Sequence, residues 1–326
     1  MLSERSDAVL RIVSLLKEVG FKTSDIYNSR KACFDLVARK EDLILLVKAL
    51  TNLDGFQEEQ AFQLKLLCFV LSASPILVGE RTRKDKVEDD VLYERYGLPA
   101  VSFSTLRQAL LHGVFPVIYA KRGGFFVHLN GDKIRYERER ESFSLGSLAQ
   151  NLGVSRRAIY EYERNEMDST LETAIKLEKL FGNPVASPLN ILSWKVEHEA
   201  IEDGNTAESL DDELEETVGQ VLSDLGLKVV WSKRTPFDAL TYREELSDLM
   251  VTGVGHASER KVESRIQAVG SFSGIVRSLA MFVLDRPHSI ISKGVPVMSK
   301  DELESMDDAS QLLRTISMRM HGKRDN

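Results

Sequence analysis

The sequence predicts a multi-domain protein in which α/β domains are combined with an all-α bundle. Three observations favour this fold class: an apolar pattern that occurs twice, an acidic stretch between the two copies, and a compact helical pattern over residues 133–182. The chain has 326 residues, which exceeds the usual span of one hydrophobic core. We expect an α/β domain over residues 1–112, a β-hairpin with a helical bundle over 113–195, an acidic linker over 196–216 and a second α/β domain over 217–326.

The first domain shows alternating signals for helices and strands. An apolar stripe at helical spacing predicts an amphipathic helix over residues 6–19, which Gly20 ends. Strands are predicted over 33–38, 43–47, 76–78 and 100–103, with a buried helix over 57–71. The charged segment 80–96 is interpreted as a loop insertion before the last strand. This alternation is typical of an α/β layer.

The region after the linker repeats the order of the first domain. Four segments match: 15–21 with 221–227, 34–35 with 237–238, 68–71 with 281–284, and 97–102 with 294–299. Because the four signals occur in the same order, we expect two related α/β domains that flank a different central module. Ser102 and Ser299 close the last strand of each copy, and each is expected to cap the helix that follows.

The composition restricts the class of protein. Hydrophobic residues make up 43% of the chain and charged residues 29%, as in ordinary globular domains. We expect a cytoplasmic protein, because no apolar stretch is long enough to cross a bilayer and the charged start does not resemble a secretory signal. The formal net charge of −7 argues against coating nucleic acid through many phosphate contacts, so any contact with DNA must be local.

Residues that commonly bind metals are scattered along the chain. Cys33 and Cys68 lie far apart among apolar neighbours, which predicts buried free thiols. The six histidines do not occur at a spacing that suits metal ligands. We therefore predict no metal site and no cofactor.

The central module contains the pattern of a helix-turn-helix. This motif needs a small residue where two short helices cross and a turn residue that reaches positive φ. Ala149 and Gly153 meet these two needs, Ile159 falls at the spacing of the shared core, and Ser155 is placed to cap the second helix. A charged helix over 133–140 and a further helix over 170–181 complete the predicted bundle.

The second helix of such a motif enters the major groove with its amino-terminal half facing the base edges. Helical geometry puts these side chains on the face away from Ala149: Ser155, Arg156, Arg157, Tyr160, Glu161 and Arg164. The arginines can either hydrogen-bond with base edges or contact phosphates, and the sequence supports both interpretations equally. Ser144 and Ser147, which open the preceding helix, are predicted to contact phosphate.

A β-hairpin is predicted before the bundle, with a tight turn at Gly123 and Gly124. It is either a basic wing that touches DNA or a structural bridge. Lys121 and Arg122 are the only cations of the turn, which favours the bridge.

The bundle resembles DNA-binding domains of the Cro and lambda-repressor type, because the small residue, glycine, cap and apolar positions agree together. The whole chain, with its repeat-flanked helix-turn-helix, also resembles a family of archaeal HTH-type transcriptional regulators. The resemblance implies a non-enzymatic regulator of transcription that binds double-stranded operator DNA. One recognition helix reads few base pairs, so we expect a homodimer, with the flanking domains used for dimerisation or for an unknown small-molecule effector.

The first repeat supports an alternative function. Asp35 and Lys48 resemble part of the restriction-endonuclease-like nuclease fold, in which an Asp and a Glu-x-Lys pair hold a divalent metal. The position two before Lys48 is Leu46, and the second copy has Val251 there, so one ligand is missing in each copy. We therefore interpret both copies as degenerate forms of this fold, in which Asp35 and Asp238 hold backbone by hydrogen bonding.

Overall fold

The computed structural model describes residues 4–27, 29, 31–196, 212–243, 248–287, 292 and 294–321. Most of the predicted acidic linker, residues 197–211, lies outside this part of the chain. Residue contacts group the chain into two units: unit 1 contains Met1–Ala49, Gln57–Pro75 and Lys195–Asn326, and unit 2 contains Leu50–Phe56 and Ile76–Trp194. Each unit combines helices with β-strands.

Helices and strands alternate along the described chain. The helices are α1 Glu4–Glu18, α2 Glu58–Val70, α3 Phe103–His112, α4 Gly131–Arg140, α5 Leu145–Leu152, α6 Arg156–Glu163, α7 Leu171–Phe181, α8 Glu213–Asp224, α9 Val262–Val276, α10 Lys300–Glu304 and α11 Ala309–His321. The strands are β1 Lys22–Thr23, β2 Leu36–Lys40, β3 Leu43–Asn52, β4 Ser74–Arg81, β5 Val91–Arg95, β6 Leu98–Val101, β7 Ile118–Lys121, β8 Gly124–Val127, β9 Ser169–Thr170, β10 Lys228–Trp231, β11 Ala239–Tyr242, β12 Met250–Gly255, β13 Leu279–Leu284 and β14 Val297–Ser299. No helix in the described ranges has the length and apolar character needed to span a bilayer.

Most predicted elements of the first domain are confirmed, with two differences. Helices α1 and α2 occupy the predicted positions. The interpretation of 80–96 as a loop is wrong for β5, whose buried Val91 and Leu92 stand among charged residues and give too short a signal. The strand predicted over 100–103 ends at Val101, because Ser102 Oγ accepts the Thr105 amide at 3.1 Å and caps α3.

Unit 1 combines segments of the first predicted domain with described residues of the second predicted domain. Strands β1, β2 and β3 pair antiparallel, and the second sheet has the order β10-β11-β12-β13-β14. The Phe272 ring on α9 lies 5.6 Å from Phe34 and 4.7 Å from Phe237. The Cys33 amide also donates to the Arg234 carbonyl at 2.9 Å. Sequence spacing gives no signal for these contacts between distant segments, and the predicted domain bounds at residues 112 and 195 stay predictions.

Unit 2 contains the predicted hairpin and the helical bundle. Its strand order is β4-β6-β5-β7-β8-β9. Strand β7 pairs in parallel with β5, and β8 pairs antiparallel with β9, which leads directly into α7. Gly123 and Gly124 have φ values of 108° and 138°, as a tight hairpin turn requires. With a neighbouring strand on each side, the hairpin joins the sheet to the bundle, which supports the bridge interpretation.

Candidate nucleic-acid interface

The turn of the helix-turn-helix has the local geometry that the sequence predicts. Ser144 caps the amino-terminal end of α5, because its Oγ accepts the Ser147 amide at 3.0 Å. The helix ends at Gly153, which has φ 72° and ψ 31° in the left-handed region. Ser155 Oγ then accepts the Ala158 amide at 3.0 Å and caps α6. The crossing of α5 and α6 therefore depends on two short capping side chains and one glycine.

The two crossed helices share one apolar core. Ala149 is 4% exposed and Ile159 is fully buried, so the small residue and the core position are where the sequence predicts them. Their neighbours in the cluster are Val127, Leu129, Ile134, Leu148, Leu152, Tyr162, Ala174, Leu177, Phe181 and Val185. This core fixes the angle of α6, so its opposite face is presented to solvent.

That opposite face carries the predicted DNA-contacting residues. Ser155, Arg156 and Tyr160 are exposed, and the Arg157 side chain is 86% exposed. Glu161 is only 21% exposed in its side chain, which accepts a hydrogen bond from Arg157. Of the predicted contacts in α6, Glu161 is thus the least accessible.

Two of the three arginines are paired with carboxylates. Arg157 Nε donates to Glu161 Oε1 at 2.6 Å, and Arg164 donates to Glu166 at 2.7 Å. These hydrogen bonds raise the pKa of each arginine above its ordinary value. In the described part of the chain, no side chain pairs with Arg156, so this guanidinium is already available to a ligand.

The amino-terminal end of α5 is partly engaged with itself. The Ser147 hydroxyl lies 3.0 Å from both the carbonyl and the hydroxyl oxygen of Ser144. Ser144 is exposed, whereas Ser147 is half-buried. Ser144 is therefore the more accessible of the two predicted phosphate contacts.

The structure also identifies support residues that sequence reasoning missed. Arg138 of α4 holds Glu163 of α6 through two hydrogen bonds of 2.5 and 3.1 Å. A Cβ on Gly131 would lie 2.5 Å from the Glu163 carbonyl oxygen, so only glycine fits there. The Asn165 side chain accepts the Gly131 amide at 2.8 Å. The partners lie 25 to 34 positions apart, so local spacing gives no signal for these contacts.

Asp35, the residue behind the nuclease alternative, is completely buried and surrounded by donors. Its carboxylate accepts from Lys48 Nζ at 3.1 Å, from the Ala49 amide at 2.8 Å and from Arg5. Burial lowers the pKa of Lys48 below its ordinary value, while the charge of Asp35 opposes this shift. Leu46 is also fully buried. Both carboxylate oxygens are thus engaged by protein donors.

Asp238, in the second predicted α/β domain, makes backbone contacts like those of Asp35. Its amide donates to the Thr252 carbonyl, as the Asp35 amide does to Val47. Its carboxylate accepts the Val254 amide at 2.7 Å and the Arg265 guanidinium at 2.7 and 2.8 Å. This register places Gly253 where the first copy has Lys48. Among the described residues, no group of three His, Cys, Asp or Glu side chains could hold a metal ion.

These features define a helix-turn-helix protein that also carries a nuclease-like α/β domain. Residues 134–186 match the family described as helix-turn-helix, and residues 5–116 match the PD-(D/E)XK superfamily domain. No solved structure matches the chain. Both matched ranges agree with the class of domain predicted at those positions.

Full-length relatives place the chain in one family. It is 38% identical to an HTH-type transcriptional regulatory protein of Pyrococcus abyssi, covering 96% of this chain and 98% of the relative. A protein of the same name from Archaeoglobus fulgidus is 34% identical over 94% of this chain and 95% of its own length. One from Methanococcus maripaludis is 33% identical over 94% and 96%. The chain therefore belongs to this family of HTH-type transcriptional regulatory proteins.

Proposed function

We propose that this protein is a transcriptional regulator that recognises specific sequences of double-stranded DNA through α6. The observation that carries the proposal is the polar face of α6, which stands opposite the core formed by Ala149 and Ile159. The names of the relatives and the match to the helix-turn-helix family support it. A helix held in this way is the element that such domains insert into the major groove.

Each end of the motif has a different role in this proposal. Arg156 and Arg157 lie at the amino-terminal end of α6, where arginine can bind guanine O6 and N7 together. Arg157 must break its ion pair with Glu161 before it can bind DNA. In the described structure Arg156 has no such ion pair to break. Ser144 and the amino-terminal end of α5 suit a phosphate oxygen, because a helix start favours anions.

We infer that the two α/β regions are scaffolds and not nucleases, so that the protein is not an enzyme. Residues 217–326 are, in this account, a second degenerate copy of the domain matched at residues 5–116. The matching backbone register at Asp35 and Asp238 supports the repeat. A carboxylate already neutralised by Arg5 and Lys48, or by Arg265, offers little to a divalent cation.

One experiment separates the regulator from the nuclease. The full chain is incubated with a pool of random-sequence duplexes in Mg²⁺ or Mn²⁺, bound duplexes are amplified over several rounds, and their integrity is followed on a gel. We expect a consensus sequence and intact DNA. Metal-dependent cleavage that Asp35→Ala abolishes would establish the nuclease instead, and recovery of no consensus would remove sequence-specific recognition.

A further inference from the structure

Several positively charged side chains lie close together on a turn in unit 2. This turn lies between β4 and β5, and the exposed side chains of Arg81, Arg83, Lys84 and Lys86 define what we call the basic turn. Within the described residues, none of these four side chains takes part in an ion pair or a side-chain hydrogen bond. The turn is therefore a local cationic surface, unlike the paired Arg157.

Backbone hydrogen bonds hold the basic turn in one conformation. The Thr82 amide donates to the Asp85 carbonyl at 2.8 Å, and the Thr82 hydroxyl accepts the Asp85 amide at 3.1 Å. At its base, the Arg83 amide donates to Asp54 at 2.7 Å, and Arg95 binds the same carboxylate at 2.8 Å. The amide of Arg83 holds the pKa of Asp54 below its ordinary value. The turn thus presents its charges without a large loss of loop entropy on binding.

The positive charge of the basic turn contrasts with the charge of the rest of the protein. The net charge is −7, and residues 131–186 contain nine Lys and Arg against ten Asp and Glu. A bundle of that balance provides little general attraction to phosphate. Residues 80–86 contain four cations and only two acids, Glu80 and Asp85, so they carry an excess of positive charge.

The sheet of unit 2 connects the basic turn to the helix-turn-helix. Strand β4, which leads into the turn, is five places from β9 in the strand order. At about 4.8 Å per strand, the two strands lie within roughly 24 Å of each other. One turn of duplex DNA is about 34 Å long, so the turn and the bundle can reach one duplex within a single helical turn.

We propose that the basic turn binds the phosphate backbone of the same DNA duplex that α6 reads. This inference rests on the proposed function, because it adds a sequence-independent contact to the recognition helix. Its role is to supply the electrostatic attraction that the nearly neutral bundle lacks.

The test compares two double variants of the full chain. Arg83→Ala/Lys84→Ala removes two charges from the basic turn, and Lys121→Ala/Arg122→Ala removes two exposed charges from the β7–β8 turn of the same unit. Binding to a random-sequence 30-base-pair duplex is measured across several salt concentrations, with a thermal melt to verify folding. We expect the first variant to flatten the dependence of log K on log salt by about 1.8, since each phosphate contact contributes about 0.9. The second should leave the dependence unchanged.

The outcomes separate this inference from the proposed function. If the wild-type chain binds no duplex, both this inference and the proposed function are contradicted. Normal binding by the wild type, with an unchanged salt dependence in the Arg83→Ala/Lys84→Ala variant, overturns the basic turn alone. An equal loss in both variants also overturns it, because the effect is then one of total charge. The two variants are also measured on a 30-nucleotide single-stranded RNA, and a loss seen only there overturns the assignment of duplex DNA as the partner.

Discussion

Single residues decide whether the α/β regions act as scaffold or catalyst. Asp35 is held by Arg5, Lys48 and a backbone amide, and Asp238 is held by Arg265 and another amide. In both places a cationic side chain forms an ion pair with the buried or half-buried carboxylate. Each aspartate also holds backbone in place, because its carboxylate accepts a main-chain amide, from Ala49 at Asp35 and from Val254 at Asp238.

Lys48→Ala should destabilise the protein. Lys48 is 1% exposed and also donates to the Ala32 carbonyl at 2.6 Å, so its removal leaves a buried carboxylate and a buried carbonyl with fewer partners. We expect a loss of about 3 to 5 kcal/mol in the free energy of unfolding, measured with urea. Lys22→Ala, at an exposed position of β1, should change it by less than about 0.5 kcal/mol. A Lys48→Ala protein as stable as the wild type would contradict the scaffold role.

At the scale of secondary-structure elements, Gly153 in the turn determines how α5 and α6 are arranged. Gly153 has φ 72°, and a Cβ placed there would meet no atom within 4 Å. Gly153→Ala should therefore act only through the backbone, because alanine is strained in the left-handed conformation. We expect it to lower the free energy of unfolding by about 1 to 2 kcal/mol. Gly146→Ala, inside α5, is the matched control and should stabilise by up to about 1 kcal/mol. Thermal melts of both variants check this, and equal melting temperatures would show that the turn does not need glycine.

The start of α8 contains a pH-dependent contact. His256 Nε2 lies 3.0 Å from Asp212, which caps α8, and its Nδ1 lies 3.4 Å from Asp285. The hydrogen bond with Asp212, followed by that with Asp285, raises the pKa of His256 above its ordinary value. The stabilisation is therefore fully present below about pH 6.5 and is lost as the pH rises through the raised pKa.

His256→Asn should remove this pH dependence. Urea unfolding of the wild type and the variant at pH 6 and pH 8 measures it directly. We expect the stability advantage of the wild type to shrink between the two values, because histidine loses its charge. An advantage that stays constant, or grows with pH, would mean that protonated His256 does not stabilise the native state.

At the scale of the whole molecule, contacts between residues that are close in the sequence could be predicted, whereas contacts between distant segments could not. The helix-turn-helix could be predicted because Ala149, Gly153 and Ser155 act through their own backbone and the adjacent turn. The pair of Arg157 and Glu161 has a spacing of four and could also have been read from the sequence. Packing of Phe34 against Phe272 joins segments more than 200 positions apart, so periodicity could not show that these two segments belong to unit 1.

At the scale of the whole molecule we also predict that the protein forms a homodimer. One recognition helix reads only a few base pairs, and a two-fold partner adds a second half-site. Light scattering of the full chain, alone and with a selected duplex, should give twice the mass of one chain. The selected sequence should have inverted symmetry. A single chain both free and on DNA would rule out the dimer.

The central claim is that α6 carries DNA recognition, and Arg157→Ala tests it most directly. Affinities for a selected operator and a random duplex are measured across several salt concentrations. Arg164→Ala is measured alongside, and Arg135→Ala, an exposed arginine paired with Glu139 in α4, is the control.

Arg157→Ala should weaken operator binding, whereas Arg135→Ala should not. If Arg157 binds a guanine, the loss is roughly 1 to 3 kcal/mol and is confined to the operator. If it binds a phosphate, both duplexes lose affinity and the salt dependence becomes shallower by about one unit. Unchanged affinity for both duplexes in Arg157→Ala and Arg164→Ala would contradict the assignment of α6 as the recognition helix.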